Sequence, residues 1–560
     1  MLAQSWAGQA SGDLAVFNHT EILKTGEWTF RLSLALLIWN ELTATNDLAL
    51  VVPDLALVVK LHASEILGIA FNQASDWNAI ALDLQSRGNS PTNAPANANA
   101  VNSNPGTRQL AIQWIAVNDA TVPLTGANNA YYANLAAPAV SGNLKTLAVQ
   151  AAVAQASHDA LVGTLGSLGF NAAQQSAWQT RLDTNLASSL SAIAASPSAA
   201  ESSAITAGRQ LGSTSASNIL ALRSTDGNDA PQNYTFASNP QPGQWILPTN
   251  SSATTANTPQ WATVKPFALT SPGQFRSVAP PALSSAAYVT AVKTTQAYGY
   301  HANAAGTTTL STGVLASPVN TGFDPVAANP GLNLLAPSDI TNTQKVAAFW
   351  RQNPANPINE IARNLANSKN LSLSDKITLF EKLNVTLADA RIAEWDTKYA
   401  FNFWRPYTAI TLSKNGVAVP GLTTGNPDLT ADPAWTAYLA TPNHPSYGSG
   451  HTATGAGFEF LESYFGSNPG AFTVSSYSLD GTPFAGLTYD FTNFDDPRLA
   501  NADSRIYAGL HFSFDNASAD LLATQVGDYI FNNALVVPEP TALAVVAPGL
   551  MMLRRRRLRG

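Results

Sequence analysis

Long stretches of this chain repeat apolar residues at intervals of three and four positions, the spacing that places them on one face of an α-helix. Such stretches occupy residues 76–86, 108–120, 145–168, 341–352 and 372–404. Alternation of apolar and polar residues is nowhere long enough to predict a sheet. The sequence therefore predicts a helical protein, and its 560 residues exceed the usual size of one domain.

Composition and periodicity divide the chain into four segments. Residues 1–70 are rich in apolar residues and form an N-terminal extension whose role stays open. Residues 71–340 form a helical N-terminal half that ends in a long excursion rich in proline, glycine, asparagine and threonine, which we expect to pack on the helical body. Residues 341–535 form a second helical bundle, and residues 536–560 form a separate tail.

The composition excludes several classes of function. The chain has no cysteine, which rules out disulfides, thiolate metal sites and a cysteine nucleophile. The net charge is −7, and because the tail from Pro538 onward contributes +4, the rest of the chain carries −11. So acidic a body is a poor binder of nucleic acid, and we expect no nucleic-acid partner. No apolar run reaches the roughly 20 residues of a membrane-spanning helix, which excludes a polytopic membrane protein.

Three short segments near the C-terminus concentrate the reactive side chains. They read KYAFNFWRP at 398–406, PSYGSGH at 445–451 and SRIYAGLHFSFD at 504–515. The cations are Lys398, Arg405 and Arg505, and guanidinium groups match the oxygens of phosphate-like anions two at a time. His451 and His511 add one group that can bond the central atom and one that can move protons. The segments predict a pocket for a tetrahedral oxyanion, suited to phosphoryl transfer or to vanadate.

The spacing within these segments predicts local geometry. Lys398 and Arg405 are seven residues apart, which predicts one helical face with the two side chains two turns apart. Ser449 is a candidate cap for the helix that follows it. Asp515 lies four residues after His511, where it can accept the second ring N–H and fix the tautomer of that histidine.

The order K-x6-RP, then SGH, then SR-x5-H-x3-D resembles the superfamily that unites vanadium-dependent haloperoxidases with type 2 phosphatidic-acid phosphatases and bacterial acid phosphatases. The segments DWNAIAL, VKPFALTSPGQFR, PPALSSAAY and AAFW resemble the bacterial haloperoxidase-like branch, so the similarity runs from about Asp76 to Asn533. The resemblance implies an all-α fold of helical bundles of the vanadium haloperoxidase and acid phosphatase type. Long irregular loops join the helices, and the oxyanion pocket lies between them.

The resemblance also implies a role for each matched residue. His511 would be the residue bound to vanadium, or the phosphohistidine nucleophile, and Asp515 would orient it. His451 would be the acid/base group. The residues implied to hydrogen-bond the oxygens of the anion are Lys398, Arg405, Ser449, Gly450 and Arg505. Bromoperoxidases have PSYPSGH where this chain has PSYGSGH, so Gly448 stands in place of proline.

Two further positions favour the haloperoxidase branch. His444 lies where the resemblance places a histidine in bromoperoxidases, and Trp395 matches a tryptophan of the haloperoxidase halide pocket. The expected cofactor is vanadate, with no haem and no flavin, and the expected reaction oxidises a halide, bromide favoured, with hydrogen peroxide to a hypohalous species. A small organic acceptor and a second copy of the chain are open as partners. The alternatives are an acid phosphatase that uses a phosphohistidine, and an exported surface protein with an inactive pocket.

The tail resembles the PEP-CTERM sorting signal of Gram-negative bacteria. It reads VVPEP, then an apolar stretch of 13 residues, then RRRRLRG. The resemblance implies transient insertion in the inner membrane, with the arginines on the cytoplasmic side, and removal by an exosortase. The expected destination is the periplasm, the outer surface or the extracellular matrix. The first residues, MLAQSWAGQASGDLAVF, lack the basic and apolar regions of a signal peptide, which is a departure from that family.

Overall fold

The computed structural model describes residues 15–16, 48–52, 57–61, 73–88, 101–247, 255–299 and 340–533, apart from the single positions 128, 133, 415, 481 and 483. The predicted tail at 536–560 and most of the predicted extension at 1–70 lie outside these residues. The chain divides into two compact units, one of Met1–Gln73 with Ser188–Ser196 and one of Ala74–Ala187 with Pro197–Gly560. The candidate site lies in the second unit.

Helices dominate the described residues, as the periodicity predicts. They are α1 Gln73–Arg87, α2 Ser103–Thr125, α3 Asn143–Thr164, α4 Ala172–Ile193, α5 Ala199–Arg223, α6 Ala286–Tyr298, α7 Ile340–Phe349, α8 Ala355–Ser368, α9 Leu373–Phe401, α10 Pro406–Thr411, α11 Gly450–Ala453, α12 Ala456–Phe465, α13 Asp495–Tyr507 and α14 Ser513–Asn533. Single turns of 3-10 helix occur at Leu165–Leu168, Pro259–Thr263 and Tyr477–Leu479. Within the described ranges, no helix combines the length and the apolar character needed to cross a membrane.

Short strands are present where the sequence predicts no sheet. They are β1 Ala15–Val16, β2 Leu48–Val52, β3 Leu57–Leu61, β4 Ser413–Lys414, β5 Val417–Ala418, β6 Phe472–Ser475 and β7 Thr488–Phe491. β1, β2 and β3 form one sheet in the first unit, while β4 pairs with β5 and β6 with β7. The prediction failed here because strands of two to five residues are too short to show alternation.

Helix α9 is the central helix of the second unit. Its buried residues lie on every side and include charged side chains such as Asp389 and Arg391, and it contacts α2, α8, α12 and α14. Ser372 caps its start by accepting a hydrogen bond from the backbone of Asp375 at 3.1 Å. Because α9 passes through the core, any side chain on its last turns is held in a fixed and buried position.

The N-terminal half packs helices α2, α3 and α5 against one another. Small residues allow α3 and α5 to approach closely, since a Cβ added at Gly208 would lie 2.1 Å from the carbonyl oxygen of Ala148. At Gly212 the same atom would lie 2.8 Å from the carbonyl oxygen of Ala152. A further link joins this half to α9, where Asp389 accepts hydrogen bonds from the backbone amides of Phe267, Ala268 and Leu269. Residues 267–269 of the predicted excursion are therefore tied to the helical body.

Candidate active site

Two of the three reactive segments, 445–451 and 504–515, line one cavity of about 250 Å³. The lining residues are Val101, Asn102, Ser103, Asn257, Arg351, Gln352, Asn353, Arg391, Trp395, Pro442, His444, Gly450, His451, Arg505, Leu510 and His511. Six of the predicted site residues are on this wall, and Lys398, Arg405, Ser449 and Asp515 are not. A cavity of this size is small for an organic ligand and ample for a tetrahedral oxyanion.

His511 lies in the turn between α13 and α14 and is 4% exposed. Its Nδ1–H donates to Oδ2 of Asp515 at 2.8 Å, as the spacing predicts. The carboxylate therefore fixes the tautomer in which Nε2 carries the lone pair. Arg405 donates from Nη1 to that Nε2 at 3.0 Å. Burial and the nearby cation of Arg405 hold the pKa of His511 well below its ordinary value, so the ring is neutral and can act as a ligand or a nucleophile.

Asp515 is completely buried in the first turn of α14. Besides His511, its Oδ2 accepts hydrogen bonds from Ser446 Oγ at 2.5 Å and from the backbone amide of Phe512 at 3.2 Å. Burial raises its pKa to about 6, against the opposing effect of the hydrogen bond from Ser446. Asp515 thus ties the histidine-bearing turn to the 445–451 loop, although it does not itself face the cavity.

Arg405 is fully buried and uses its guanidinium to hold backbone and imidazole groups in place. It donates to the carbonyl oxygens of His444 and Leu510, each at 2.9 Å, and from Nη2 to Nδ1 of His444 at 2.9 Å. The prediction that Lys398 and Arg405 share a helical face is wrong. Helix α9 ends at Phe401, where Asn402 takes a left-handed conformation, and Arg405 caps α10 because Pro406 follows it.

Lys398 is fully buried in the last turn of α9 and points its Nζ at the 445–448 loop. It donates to the carbonyl oxygens of Pro445 at 3.2 Å, Ser446 at 2.9 Å and Gly448. Glu394 lies one helical turn earlier, with its Oε1 3.5 Å from Nζ. Burial lowers the pKa of Lys398 to about 7 and raises that of Glu394 to about 7. In this geometry Lys398 supports the loop, and its contact with an anion stays a prediction.

The SGH turn opens the short helix α11, and Ser449 caps it as predicted by accepting from the backbone amide of Thr452 at 3.4 Å. The carbonyl oxygen of His451 accepts from Asn501 at 2.8 Å and from Thr454 at 2.5 Å, which fixes the backbone of that residue. Its Nε2 is buried and has no hydrogen-bond partner among the described residues. Burial and the cation of Arg505 hold its pKa well below the ordinary value. His451 is therefore a neutral base whose Nε2 is available to a ligand.

Trp395 and His444 lie side by side on the cavity wall. Their ring centroids are 4.8 Å apart with the planes tilted by 44°. Both residues are buried, and burial together with Arg405 keeps the pKa of His444 well below its ordinary value. A neutral imidazole therefore lies against an indole on the cavity wall, and the role of this pair as a halide pocket stays a prediction.

Sequence reasoning missed two charged residues of α9. Arg391 lines the cavity, and Glu394 is buried behind it with neither carboxylate oxygen hydrogen-bonded among the described residues. Arg391 precedes Lys398 by seven residues and Glu394 precedes it by four. That spacing is the signal that could have found them, because residues four and seven apart share a helical face.

The cavity is surrounded by more buried positive than negative charge. Within the described chain, Arg391, Arg405 and Arg505 make no ion pair with a carboxylate within 4.0 Å. Burial lowers the pKa of Arg391 and Arg505 to about 9 and that of Arg405 to about 10. Uncompensated buried cations are costly, and a bound anion removes that cost. Together with the unpartnered Nε2 of His451 and the Nε2 lone pair of His511, these donors fit a tetrahedral oxyanion such as vanadate or phosphate.

Comparison with known proteins agrees with this geometry. Residues 378–538 match the family described as VCPO second helical-bundle domain. A vanadium chloroperoxidase of Curvularia inaequalis is 26% identical to this chain over 197 residues, a match that covers 28% of this chain and 30% of that protein. The chain thus aligns with only about a third of the curated relative.

Solved structures extend the similarity over most of the chain. A bacterial vanadium-dependent iodoperoxidase superposes with a TM-score of 0.56 at 19% identity, covering 83% of this chain and 95% of that one. The apo form of a bacterial vanadium-dependent chloroperoxidase superposes with a TM-score of 0.55 at 18% identity, covering 78% of this chain and 94% of that one. The chain therefore has the helical-bundle fold of these bacterial haloperoxidases, and its residues 378–538 are similar to the second helical-bundle domain of the VCPO family.

Proposed function

We propose that this protein is a vanadate-dependent haloperoxidase that oxidises a halide, bromide favoured, with hydrogen peroxide to a hypohalous species. One observation carries the proposal: the Nε2 lone pair of His511, fixed by Asp515 through Nδ1, lies in the wall of a cavity with guanidinium groups around it that pair with no carboxylate of the described residues. A metal oxyanion needs one neutral nitrogen ligand and several charged donors, and this cavity offers both.

The residues that would hold vanadate follow from their donors. His511 would supply the nitrogen ligand. The asparagine and glutamine side chains of the wall are neutral, so Arg405 and Arg505 would compensate the negative charge of the anion. Arg405 already donates to Nε2 of His511, so an oxyanion that accepts from its guanidinium would release that nitrogen for the metal. Ser449 and Gly450 would complete the set, as the resemblance implies; it also implies Lys398, whose ammonium group donates to the 445–448 loop in this structure. Bound vanadate supplies a Lewis acid that activates peroxide without a change of oxidation state.

His451 would move the proton of hydrogen peroxide. Its Nε2 has no partner within the described residues, and its depressed pKa keeps the ring neutral near pH 7, so it can accept a proton. The positive charge of Arg505 opposes protonation of the ring at rest and favours return of the proton at the end of the cycle. The chain thus holds a base at the cavity wall without a carboxylate beside it.

Halide would enter beside Trp395 and His444. The indole and imidazole rings exclude water from one side of the cavity, while the cations around it attract anions. The same positive field would draw in both halide and oxyanion. A small organic acceptor stays an open partner, because a cavity of about 250 Å³ is small for an organic ligand.

Export by the tail is a separate proposal. The PEP-CTERM-like residues 536–560 would direct the protein across the inner membrane of a Gram-negative bacterium and be removed by an exosortase. Mass spectrometry of the mature protein from its native host tests this directly. A C-terminus near Pro538 is expected, and a mature protein that keeps the arginine cluster after Met552 would refute processing.

Parallel assays of the full chain separate halide oxidation from phosphoryl transfer, which the same residues could perform through a phosphohistidine at His511. The protein is incubated with orthovanadate and assayed for bromination with bromide and peroxide, and without vanadate for hydrolysis of p-nitrophenyl phosphate. The proposal expects vanadate-dependent bromination. Phosphatase activity with no halogenation under any halide would overturn it in favour of a phosphatase.

A further inference from the structure

We propose that Arg391 is a further oxyanion-holding cation of this cavity, separate in role from Lys398, whose charge is directed at the 445–448 loop and at Glu394. The inference rests on the proposed oxyanion site and concerns which side chains of this chain supply its charge. Neither the three reactive segments nor the implied roles of their residues include Arg391.

The contacts of Arg391 hold its guanidinium at the cavity wall. Nε donates to Oδ1 of Asn104 in α2 at 2.9 Å, and Nη1 donates to the carbonyl oxygen of Gly450 at 2.7 Å. The guanidinium carbon lies 4.2 Å from the centroid of the Trp395 ring. Nη2 has no hydrogen-bond partner among the described residues, although Arg391 is only 4% exposed and lines the cavity. A fixed guanidinium with one unused nitrogen is pre-organised to donate to an anion.

The charge of Arg391 lacks a close counterion. In the described ranges, no carboxylate oxygen lies within 4.0 Å of it, and its two acceptors are a neutral amide and a carbonyl. The effect of its charge reaches two of the three histidines of the wall, because it lowers the pKa of His444 and of His451. A buried cation without a close counterion at the cavity wall is the arrangement that an anion would stabilise.

Lys398 is occupied in a different way. All three of its ammonium hydrogens have backbone acceptors, the carbonyl oxygens of Pro445, Ser446 and Gly448, and Glu394 offsets its charge from 3.5 Å. It is absent from the cavity wall. Lys398 therefore directs its charge at the loop and at Glu394, while Arg391, two turns earlier on α9, presents its guanidinium at the cavity wall.

Gly450 permits this placement. A Cβ at position 450 would lie 2.5 Å from Nη1 of Arg391 and 3.1 Å from a ring carbon of Trp395. Any side chain there would push the guanidinium away from the backbone carbonyl that anchors it. The glycine of the SGH turn thus gives Arg391 access to the cavity wall.

The test is calorimetric titration of the full chain with inorganic phosphate and with orthovanadate, which measures anion affinity without any halogenation assay. Arg391→Gln removes the charge and keeps a polar side chain, and we expect binding weaker by about 10- to 100-fold. Arg391→Lys restores the charge without the fork, and we expect a loss of about 3- to 10-fold. Arg209→Gln is the matched control, because Arg209 lies on α5 with Gln155 as its partner, and we expect no more than a twofold change.

The outcomes separate this inference from the proposed function. Arg391→Gln that folds and binds phosphate and vanadate within twofold of the parent would overturn the role of Arg391 while leaving the oxyanion site intact. Should the glutamine variant not fold, Arg391→Met, whose unbranched stem can still cover the Trp395 ring, decides by the same criterion. If the parent binds neither anion, the proposed function and the inference are both refuted.

Discussion

Replacing Asp515 by asparagine tests whether the cavity histidine is held for metal binding. Oδ2 of Asp515 accepts three hydrogen bonds, from His511 Nδ1 at 2.8 Å, Ser446 Oγ at 2.5 Å and the Phe512 amide at 3.2 Å. Asparagine keeps the shape and one acceptor oxygen but removes the charge. Hydrogen bonds to charged groups contribute about 1.5–3 kcal/mol and neutral ones about 0.5–1.5 kcal/mol, so the bond that orients His511 weakens by about 1–1.5 kcal/mol.

A weaker bond at Nδ1 makes His511 a poorer ligand. Removing the group that orients a metal-binding histidine typically lowers metal affinity or activity about 10- to 100-fold, and we expect a loss in this range for vanadate. Calorimetric titration with orthovanadate gives the affinity, and bromination kinetics at saturating vanadate give kcat. The reasoning predicts a large rise in the vanadate Kd with a smaller fall in kcat.

Asp389→Asn is the control for general damage to the fold. Asp389 is also completely buried and also accepts three hydrogen bonds, but all three donors are backbone amides of residues 267–269. An amide nitrogen placed against these donors should lower the free energy of unfolding by about 1–3 kcal/mol without changing vanadate affinity. An Asp515→Asn variant whose vanadate Kd stays within twofold of the parent, like the control, would refute the orienting role.

Three further predictions address the halide wall, a buried acid and the loop glycine. His444→Phe keeps the ring contact with Trp395 but removes the acceptor of Arg405, so kcat/KM for bromide should fall about 10-fold while vanadate still binds. Burial raises the pKa of Asp503 from 3.8 to about 8 with Oδ2 unpartnered, so the folded state binds the proton more tightly. The free energy of unfolding should therefore fall as the pH rises from about 4 to about 8. In denaturant titrations, Asp503→Asn should raise the free energy of unfolding by up to about 4 kcal/mol near pH 7 and leave it unchanged below about pH 4. Gly448→Ala should lower the free energy of unfolding by about 1–3 kcal/mol in the same titrations, because the added Cβ would lie 3.1 Å from the carbonyl oxygen of Asp515. An unchanged denaturant midpoint would contradict this.

The long helices were predictable because periodicity is a local signal. The patterns at 108–120 and 145–168 correspond to α2 Ser103–Thr125 and α3 Asn143–Thr164. The end of α9 was not predictable, because the apolar pattern continues to Trp404. The left-handed conformation of Asn402 and the proline at position 406 end the helix before that pattern ends. The strand pair β6 and β7 depends on pairing across a 12-residue connection, and no local pattern indicates that pairing.

At the site, the sequence predicted which reactive residues occur and in what order, but it did not predict which groups each charged side chain contacts. His511 and Asp515 could be paired from their spacing, since four residues bring them within one turn. Lys398 could not be assigned to the loop, because its acceptors lie 47 to 50 residues away in the chain. Arg391 had the spacing of a site residue, but only the position of Asn104, Gly450 and Trp395 around it places its charge at the cavity.

The central claim is that His511 would hold vanadate in this cavity and that hydrogen peroxide, activated by the bound vanadate, would oxidise the halide. The most direct test is the initial rate of bromination, with bromide and peroxide in excess, as orthovanadate is added to the parent chain and to His511→Ala. The account predicts a rate that rises and saturates with vanadate in the parent and stays at the level of free vanadate in the variant. A saturating rate that survives in His511→Ala, or a parent that never exceeds free vanadate, would contradict it.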